Sequence, residues 1–190
     1  MKRAATPCKP IGWVLAVLFG AGMACSNAGQ ALELRETTWE AAGDAFGLDA
    51  YLVYAVALME SRRFAGRDAV APWPWALRTD AGAVFAKSRL EAVGLLRLAS
   101  LESSNVDVGI MQISTFWHGH RVRGLADLLE PRTNVHLGAR ILREAIDSAP
   151  GDIELGVGRY HSWNEAKARK YGRAVLQVYA NLVRLKGNVE

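Results

Sequence analysis

The chain has 190 residues, enough for one domain with a single hydrophobic core, and a formal net charge of +4. The charge does not indicate a nucleic-acid partner, because residues 1–28 hold three basic and no acidic side chains and the rest of the chain carries only +1. Both cysteines, Cys8 and Cys25, lie in the same N-terminal stretch, which excludes disulfide and thiol chemistry from the remainder.

The N-terminus has the pattern of a signal peptide. Three basic residues flank or precede an uncharged and mostly apolar run of 15 residues, Ile11–Cys25, and small residues at 28–31 offer cleavage sites. Because this run is shorter than the roughly 20 residues that span a bilayer, we expect residues 1–28 to be removed after export. The mature protein is then expected to be periplasmic and soluble, with no stable membrane span.

After residue 32 the pattern is mainly helical. Thr37 opens a capping box, and the apolar stripe that follows it ends at Gly47. Asp49 is a good N-cap for a second helix, and the apolar period of that helix breaks near residues 62–63. Two helices are therefore predicted in close succession.

Glu60 is a carboxylate on an apolar face of the second predicted helix. Val53, Val56 and Ala57 lie one or two turns before it on the same face, so its side chain is expected to be half inside the core. Desolvation and the negative end of the helix dipole both raise its pKa and favour the protonated form that a general acid needs. The structural alternative is an ordinary surface ion pair with Arg63, three residues later.

A small β-hairpin is predicted after this helix. Two prolines exclude a helix through Pro74, and candidate strands at 75–79 and 83–87 flank an Asp-Ala-Gly turn. Ser88 opens a second capping box and a helix that extends to about Ala99.

Helices dominate the remaining sequence. Gly109–Ile113 is predicted to begin a short helix after a turn, and an apolar stripe over 135–146 predicts a longer helix that ends at Pro150. Asp152 caps a further helix, and a loop at 161–164 separates it from the last one. The inward residues predicted for the last helix are Val175, Val178, Tyr179 and Leu182.

Four short motifs follow one another along the chain. They are Met59–Ser61, Gly109–Ile113, Leu129–Ala139 and Gly158–Tyr160. In this order they resemble the catalytic domain of the soluble lytic transglycosylases, a lysozyme-like family with Glu-Ser, Gly-Leu-Met-Gln, Asp-Pro…Asn-hydrophobic-x-x-Gly and Ala-Tyr-Asn-Ala-Gly motifs. The resemblance covers about residues 38–183 and implies a mainly α, lysozyme-like transglycosylase domain over residues 32–190, with the β-hairpin as a small insertion.

The resemblance also implies roles for individual residues. Glu60 matches the family's single catalytic acid, and Ser61 matches the serine that hydrogen-bonds near it. Gln112 is expected to line the sugar cleft with Met111 beside it, and Tyr160 to face the acid across the cleft. The full set of implied substrate-binding residues is Ser61, Gly109, Met111, Gln112 and Tyr160.

The activity implied by the resemblance is that of a peptidoglycan lytic transglycosylase, a carbon–oxygen lyase. It cleaves the β-1,4 bond between MurNAc and GlcNAc without adding water, using Glu60 as acid and then as base, and leaves 1,6-anhydroMurNAc ends. No cofactor is expected, and no metal either, since the four histidines show no His-Glu-x-x-His pattern. The hairpin resembles a subgroup of small exported transglycosylases that accompany conjugation, secretion or pilus machines, which are the expected partners beside the glycan strands.

Departures from the family pattern leave alternatives open. His161–Trp163 stands where the family has Asn-Ala-Gly, and the spacing between the first two motifs is long. A hydrolase of the goose-lysozyme type would need a second carboxylate to activate water, for which Asp68, Asp80 and Asp107 are candidates. An inactive peptidoglycan-binding component of a secretion channel is the other alternative.

The signal-peptide pattern yields a first testable prediction. We expect the mature protein to begin between about Ala28 and Leu34, because the only long uncharged run precedes this segment. N-terminal sequencing of the protein recovered from the cell-envelope fraction measures this directly. Recovery of chains that begin at Met1, or of a lipid on Cys25, contradicts the prediction.

Overall fold

The structure is a computed structural model that describes residues 32–64 and 69–187. The predicted signal peptide, its cleavage sites and Asp68 lie outside these residues. The described chain is mainly helical with two small antiparallel sheets, which confirms the predicted fold class. The helices are α1 Thr38–Phe46, α2 Ala50–Ser61, α3 Arg89–Glu102, α4 Thr115–His118, α5 Pro131–Asp147, α6 Ile153–Arg159 and α7 Glu165–Gly187. The strands are β1 Arg62–Phe64, β2 Val70–Pro72, β3 Ala76–Thr79, β4 Gly82–Phe85, β5 Asp107–Val108 and β6 Ile113–Ser114. Strands β1 and β2 form one sheet, and the other four form the second.

Local sequence sets the starts of four helices, α1, α2, α3 and α6, as predicted. In each case a side-chain oxygen accepts a hydrogen bond from a backbone N–H of the first turn, which satisfies a donor that has no partner within the helix. The four predicted capping side chains, Thr37, Asp49, Ser88 and Asp152, all do this, and Ser114 does the same for α4. Gly47 ends α1 in the left-handed conformation, with φ of 62°.

Helix α2 occupies the centre of the fold. Its residues from Tyr51 to Ala57 are all buried, because α1, α5 and α7 pack around it together with strand β2. Only its last turn reaches the edge of the core, and this is the turn that carries Glu60. No single helix among the described residues is long and apolar enough to cross a membrane; α1 and α2 pass that test only together, as a pair bent by 114°.

The predicted β-hairpin is present and belongs to a larger sheet. Strands β3 and β4 pair antiparallel, with Thr79 opposite Gly82 at the turn, and their bounds lie within two residues of those predicted. Strands β5 and β6 extend this sheet in the order β4-β3-β5-β6. The hairpin is thus attached through β5 to the segment that carries the Gly109 motif.

The prediction that a helix begins at Gly109 is wrong. Residues 109–112 form the turn between β5 and β6, and α4 begins only at Thr115. Gly109 and Gln112 both have positive φ, 83° and 48°, which a helix does not allow. This conformation places the turn against the buried side chain of Asn134, a contact that comes from α5 and cannot be read from the local sequence.

Helices α6 and α7 pack with their backbones in direct contact. A Cβ atom on Gly158 would overlap the carbonyl of Ala168, and one on Gly172 would overlap the carbonyl of Glu154. Glycine at these two positions therefore sets how closely α7 approaches the rest of the core. Gly94 in α3, by contrast, faces open space.

We predict opposite effects on stability from one substitution made at two helical glycines. Gly158→Ala forces α6 and α7 apart and should lower the free energy of unfolding by about 2 kcal/mol or more. Gly94→Ala adds a methyl group in open space and should raise it by about 0.5–1 kcal/mol, since alanine loses less backbone entropy in a helix. Denaturant unfolding of both variants measures this, and equal effects would contradict the close packing of α6 on α7.

Candidate active site

Glu60 lies in the last turn of α2 and is largely withdrawn from solvent. Its side chain is 14% exposed, and its Oε1 atom accepts a hydrogen bond of 2.5 Å from the Tyr171 hydroxyl. The guanidinium of Arg63 instead lies over the Trp73 ring, 4.8 Å from its centroid. Within the described residues Glu60 makes no ion pair with Arg63, so the alternative of a solvated surface pair is wrong.

The surroundings of Glu60 raise its pKa to about 7. Loss of water contacts is the largest cause, because a buried carboxylate has lost the solvent that stabilises its charge. The hydrogen bond from Tyr171 and the positive charge of Arg78 lower the pKa, whereas the negative charge of Asp107 raises it. The sequence also predicts an upward shift of the Glu60 pKa. Near neutral pH both forms of this carboxyl are populated, which suits a group that gives and then takes a proton.

Two rings border the Glu60 carboxyl. Tyr171 comes from α7 and His161 from the turn after α6, and their rings are stacked with centroids 4.7 Å apart and planes within 4° of parallel. The Nδ1 atom of His161 lies 4.0 Å from Glu60 Oε1, which is too far for a direct hydrogen bond. Burial, and then the charges of Arg78 and Lys167, lower the pKa of His161.

Tyr160, the tyrosine expected from the sequence to face the acid, makes a different contact. Its hydroxyl donates to the backbone carbonyl of Met111 at 2.7 Å. Burial raises its pKa well above the usual value, and the charges of Glu60 and Asp107 add to this. Tyr160 thus lies close to Glu60, but the tyrosine that donates a hydrogen bond directly to the Glu60 carboxyl is Tyr171.

Ser61 is buried and binds backbone rather than the acid. Its hydroxyl donates to the carbonyl of Ile110 at 2.7 Å and accepts from the N–H of Trp73 at 3.1 Å. These two bonds tie the end of α2 to the turn at 109–112 on one side and to the strand region before the hairpin on the other. Ser61 therefore fixes the backbone next to Glu60.

Asn134 organises the turn at 109–112 from the first turns of α5. The side chain is only 1% exposed. Its amide nitrogen donates to the carbonyls of Val108 and Leu128, at 2.9 and 2.7 Å, and its amide oxygen accepts from the N–H of Met111 at 2.7 Å. A Cβ atom on Gly109 would overlap this amide, which explains the glycine.

The remaining motif residues lie in the same turn. Met111 is fully buried, packed so closely on Gly138 that a Cβ atom there would overlap its side chain. The amide nitrogen of Gln112 donates to the carbonyls of Ala76 and Gly109, at 3.2 and 3.0 Å. The turn is thus held to the hairpin on one side and to α5 on the other.

A second carboxylate lies near the acid. Asp107 is partly buried and stands opposite Arg78 in the antiparallel pairing of β3 and β5. Burial raises the pKa of Asp107, and the neighbouring charge of Arg78 opposes this shift. In the described part of the chain no group of three or more His, Cys, Asp or Glu side chains is arranged to hold a metal ion.

Sequence reasoning missed two residues of this site. Asn134 lay within the third motif and matched the asparagine of the family pattern, but no role was predicted for it. Tyr171 carried no local signal, because it is 111 residues from Glu60 and on a helix with several other aromatic and apolar residues.

Residues 37–175 match the family model of the transglycosylase SLT domain, a stretch that includes Glu60, Asn134 and Tyr171. This match covers well over half of the chain. The chain belongs to the SLT transglycosylase family. Comparisons with curated proteins and with solved structures gave no match. Family membership indicates a lysozyme-like lytic transglycosylase that acts on peptidoglycan, and hence a protein that works outside the cytoplasm.

We predict that Tyr171→Phe raises the pKa of Glu60 in this SLT domain above about 7, because the lost hydrogen bond favours the ionised carboxyl. Carboxyl ¹³C NMR titration of glutamate-labelled protein measures the shift. Tyr179→Phe is the matched control: its hydroxyl binds Asp49 at the opposite end of α2, and its removal should leave Glu60 unaffected. An unchanged Glu60 pKa in Tyr171→Phe would show that the bond is not made in solution.

Proposed function

We infer that this protein is a peptidoglycan lytic transglycosylase, a carbon–oxygen lyase that cleaves the β-1,4 bond between MurNAc and GlcNAc without adding water. The observation that carries the proposal is the state of Glu60. It is a nearly buried carboxyl with a pKa of about 7, next to a tyrosine donor, within the residues that match the SLT family model. Its product is a glycan strand with a 1,6-anhydroMurNAc end.

In the first step the protonated Glu60 acts as a general acid. It donates its proton to the glycosidic oxygen, and the bond from that oxygen to the anomeric carbon breaks. The N-acetyl group of the substrate stabilises the positive charge that develops at the anomeric carbon. The Tyr171 hydroxyl then stabilises the new Glu60 carboxylate, since it already donates to Oε1.

In the second step the Glu60 carboxylate acts as the base. The 6-hydroxyl of the same sugar attacks the anomeric carbon, and its proton passes to the carboxylate. The acid is then restored, and the new bond closes the anhydro ring. Because the nucleophile belongs to the substrate, the reaction does not need the second carboxylate that ordinary glycosidases use.

The remaining predicted site residues shape the cleft around this acid. Gly109, Met111 and Gln112 form the rigid turn, and Ser61 and Tyr160 hold that turn by hydrogen bonds to the Ile110 and Met111 carbonyls. We propose that the turn presents its backbone to the glycan strand, which is how these residues contribute to substrate binding. The side-chain polar atoms of Ser61, Gln112 and Tyr160 are already used in the hydrogen bonds that hold the turn in position.

A hydrolase of the goose-lysozyme type is the second candidate, and Asp107 is the observation that favours it. Its charge raises the pKa of Glu60, so the two carboxyls are near each other. Asp80 lies exposed at the turn of the hairpin, and its charge is not among those that shift the pKa of Glu60. The two reactions differ in their products, because hydrolysis leaves a reducing end that is heavier than the anhydro end by one water.

An inactive peptidoglycan-binding component is less well supported. A binding protein gains nothing from a carboxyl whose ionised form is destabilised by burial. Glu60 nevertheless stands at the edge of the core with its pKa near neutrality. This arrangement is typical of groups that transfer protons.

The location and partners of the protein complete the proposal. We propose that residues 1–28 direct export and are removed, and that residues 32–190 act in the periplasm as one catalytic domain. The hairpin insertion supports assignment to the small transglycosylases that accompany conjugation, secretion or pilus machines. In such a system the transglycosylase would open the cell wall for the envelope-spanning machine. Glycan strands are the substrate in each case.

We predict that Glu60→Gln abolishes turnover on purified peptidoglycan. The amide is nearly isosteric but transfers no proton, so both steps fail, and the loss should reach about 10⁴-fold, the upper end of the contribution of one general acid–base group. Mass spectrometry of the wild-type products should show anhydro ends. Glu102→Gln is the matched control, since Glu102 is also in the last turn of a helix but exposed, and it should keep full activity.

The same variant should be more stable than the wild type at high pH. The pKa of Glu60 is raised from 4.5 to about 7, so ionisation destabilises the fold as the pH rises through that interval. Glu60→Gln removes this loss, which is on the order of 3 kcal/mol above pH 7 and vanishes below pH 4.5. Near-normal turnover in Glu60→Gln would remove this residue from the mechanism, and reducing-end products would convert the proposal to a hydrolase.

A further inference from the structure

The imidazole of His161 is placed where one oxygen atom can contact both it and Glu60. The separation of 4.0 Å between His161 Nδ1 and Glu60 Oε1 excludes a direct hydrogen bond. An oxygen at the usual hydrogen-bond distance of about 2.8 Å from each atom fits between them without strain. A substrate hydroxyl that reaches the Glu60 carboxylate is therefore also within reach of the imidazole.

The imidazole is held firmly yet faces the solvent. Its ring stacks on Tyr171, whose hydroxyl is itself bound to Glu60, so the two rings and the carboxyl form one packed group. The His161 side chain is nevertheless 53% exposed, against 14% for Glu60. The stacked face fixes the ring, and the exposed edge is open to a ligand that enters from solvent.

We propose that His161 is a second catalytic residue that relays the proton of the attacking hydroxyl to Glu60. This inference rests on the proposed lytic transglycosylase function. The family pattern has an asparagine at this position, whose amide cannot accept a proton in this way. The replacement therefore changes the chemistry available in the cleft of this chain.

The relay conserves every proton. Glu60 first gives its proton to the glycosidic oxygen as the glycosidic bond breaks. The 6-hydroxyl then forms its bond to the anomeric carbon, and its proton moves to the imidazole. An imidazolium now faces a carboxylate at 4.0 Å, a favourable ion pair. A water molecule that replaces the reacted hydroxyl between the two groups then carries the proton from His161 to Glu60, which restores both for the next cycle.

The charges that face the imidazole keep it in the form that this role needs. Arg78 from β3 and Lys167 from α7 are positive and oppose its protonation, as does its partial burial. Glu60 from α2 is the acidic group beside it, and Tyr171 from α7 is a neutral donor. Because the pKa of His161 is lowered and that of Glu60 is raised, a neutral imidazole and a protonated carboxyl coexist between the two pKa values.

The test is the pH dependence of kcat/KM for soluble glycan fragments. The wild type should lose activity at acidic pH, as His161 becomes protonated below its usual pKa of 6.5, and again above about 7, as Glu60 ionises. His161→Asn should lose about 10²-fold at the wild-type optimum, because the carboxylate must take the proton unaided. The fall in kcat/KM at acidic pH, here called the acidic limb, should also disappear in His161→Asn. If His161 had only a structural role, its replacement would leave this limb in place.

Controls separate the relay from loss of the fold. His120→Asn replaces an exposed histidine of the 3₁₀ turn after α4 and should keep both the rate and the acidic limb. Melting curves show whether each variant is folded. The pH dependence of kcat/KM is also measured for His161→Gln, a second variant with a neutral side chain. Retention of the wild-type acidic limb in the two His161 variants, or near-normal rates at the optimum, overturns the relay.

The experiment distinguishes failure of the relay proposal from failure of the proposed lytic transglycosylase function. If the relay alone is wrong, the His161 variants behave as the wild type while Glu60→Gln stays inactive and anhydro products persist. If the function is wrong, the wild type itself gives reducing-end products or none. The product mass is therefore measured in the same reactions as the pH profile.

Discussion

The chemistry of the cleft depends on one unfavourable placement, a carboxyl held almost out of water at the end of a buried helix. Helix α2 is covered on all sides up to Ala57, and only its last turn comes to the edge of the core. The fold thus gives Glu60 too little solvent to ionise easily and enough access to meet a ligand. Tyr171 supplies the single strong hydrogen bond that keeps the ionised form attainable. Without that donor the pKa of Glu60 would be higher still.

The turn at 109–112 is held in place because its polar groups are hydrogen-bonded within the protein. Asn134 and Ser61 each bind three backbone groups, and Tyr160 and Gln112 bind carbonyls around the same turn. A turn with positive φ at two residues is costly in isolation, and these bonds make it the stable arrangement. The motif is therefore a structural unit whose backbone is held in one conformation beside the acid.

Local signals in the sequence predicted the local parts of this structure. Capping residues marked the helix starts, and the two prolines with the Asp-Ala-Gly turn marked the hairpin, because these effects act over a few residues. The turn at Gly109 was predicted as a helix, since the contact with Asn134 that decides its conformation is tertiary. Glu60 and its raised pKa followed from helical periodicity, whereas Tyr171 did not, because its partner is on another element. The resemblance supplied the motif residues but no geometry.

The distance along the chain between Glu60 and Tyr171 has a consequence for how the site is assembled. The hydroxyl that tunes the acid comes from the last helix, 111 residues later, and reaches it only when α7 docks through the glycines of α6 and α7. Until α7 docks, Glu60 lacks both this hydroxyl and the helix that packs against α2. The tuned acid is thus completed by the last helix of the fold, and the site depends on the docking of α7 as much as on α2.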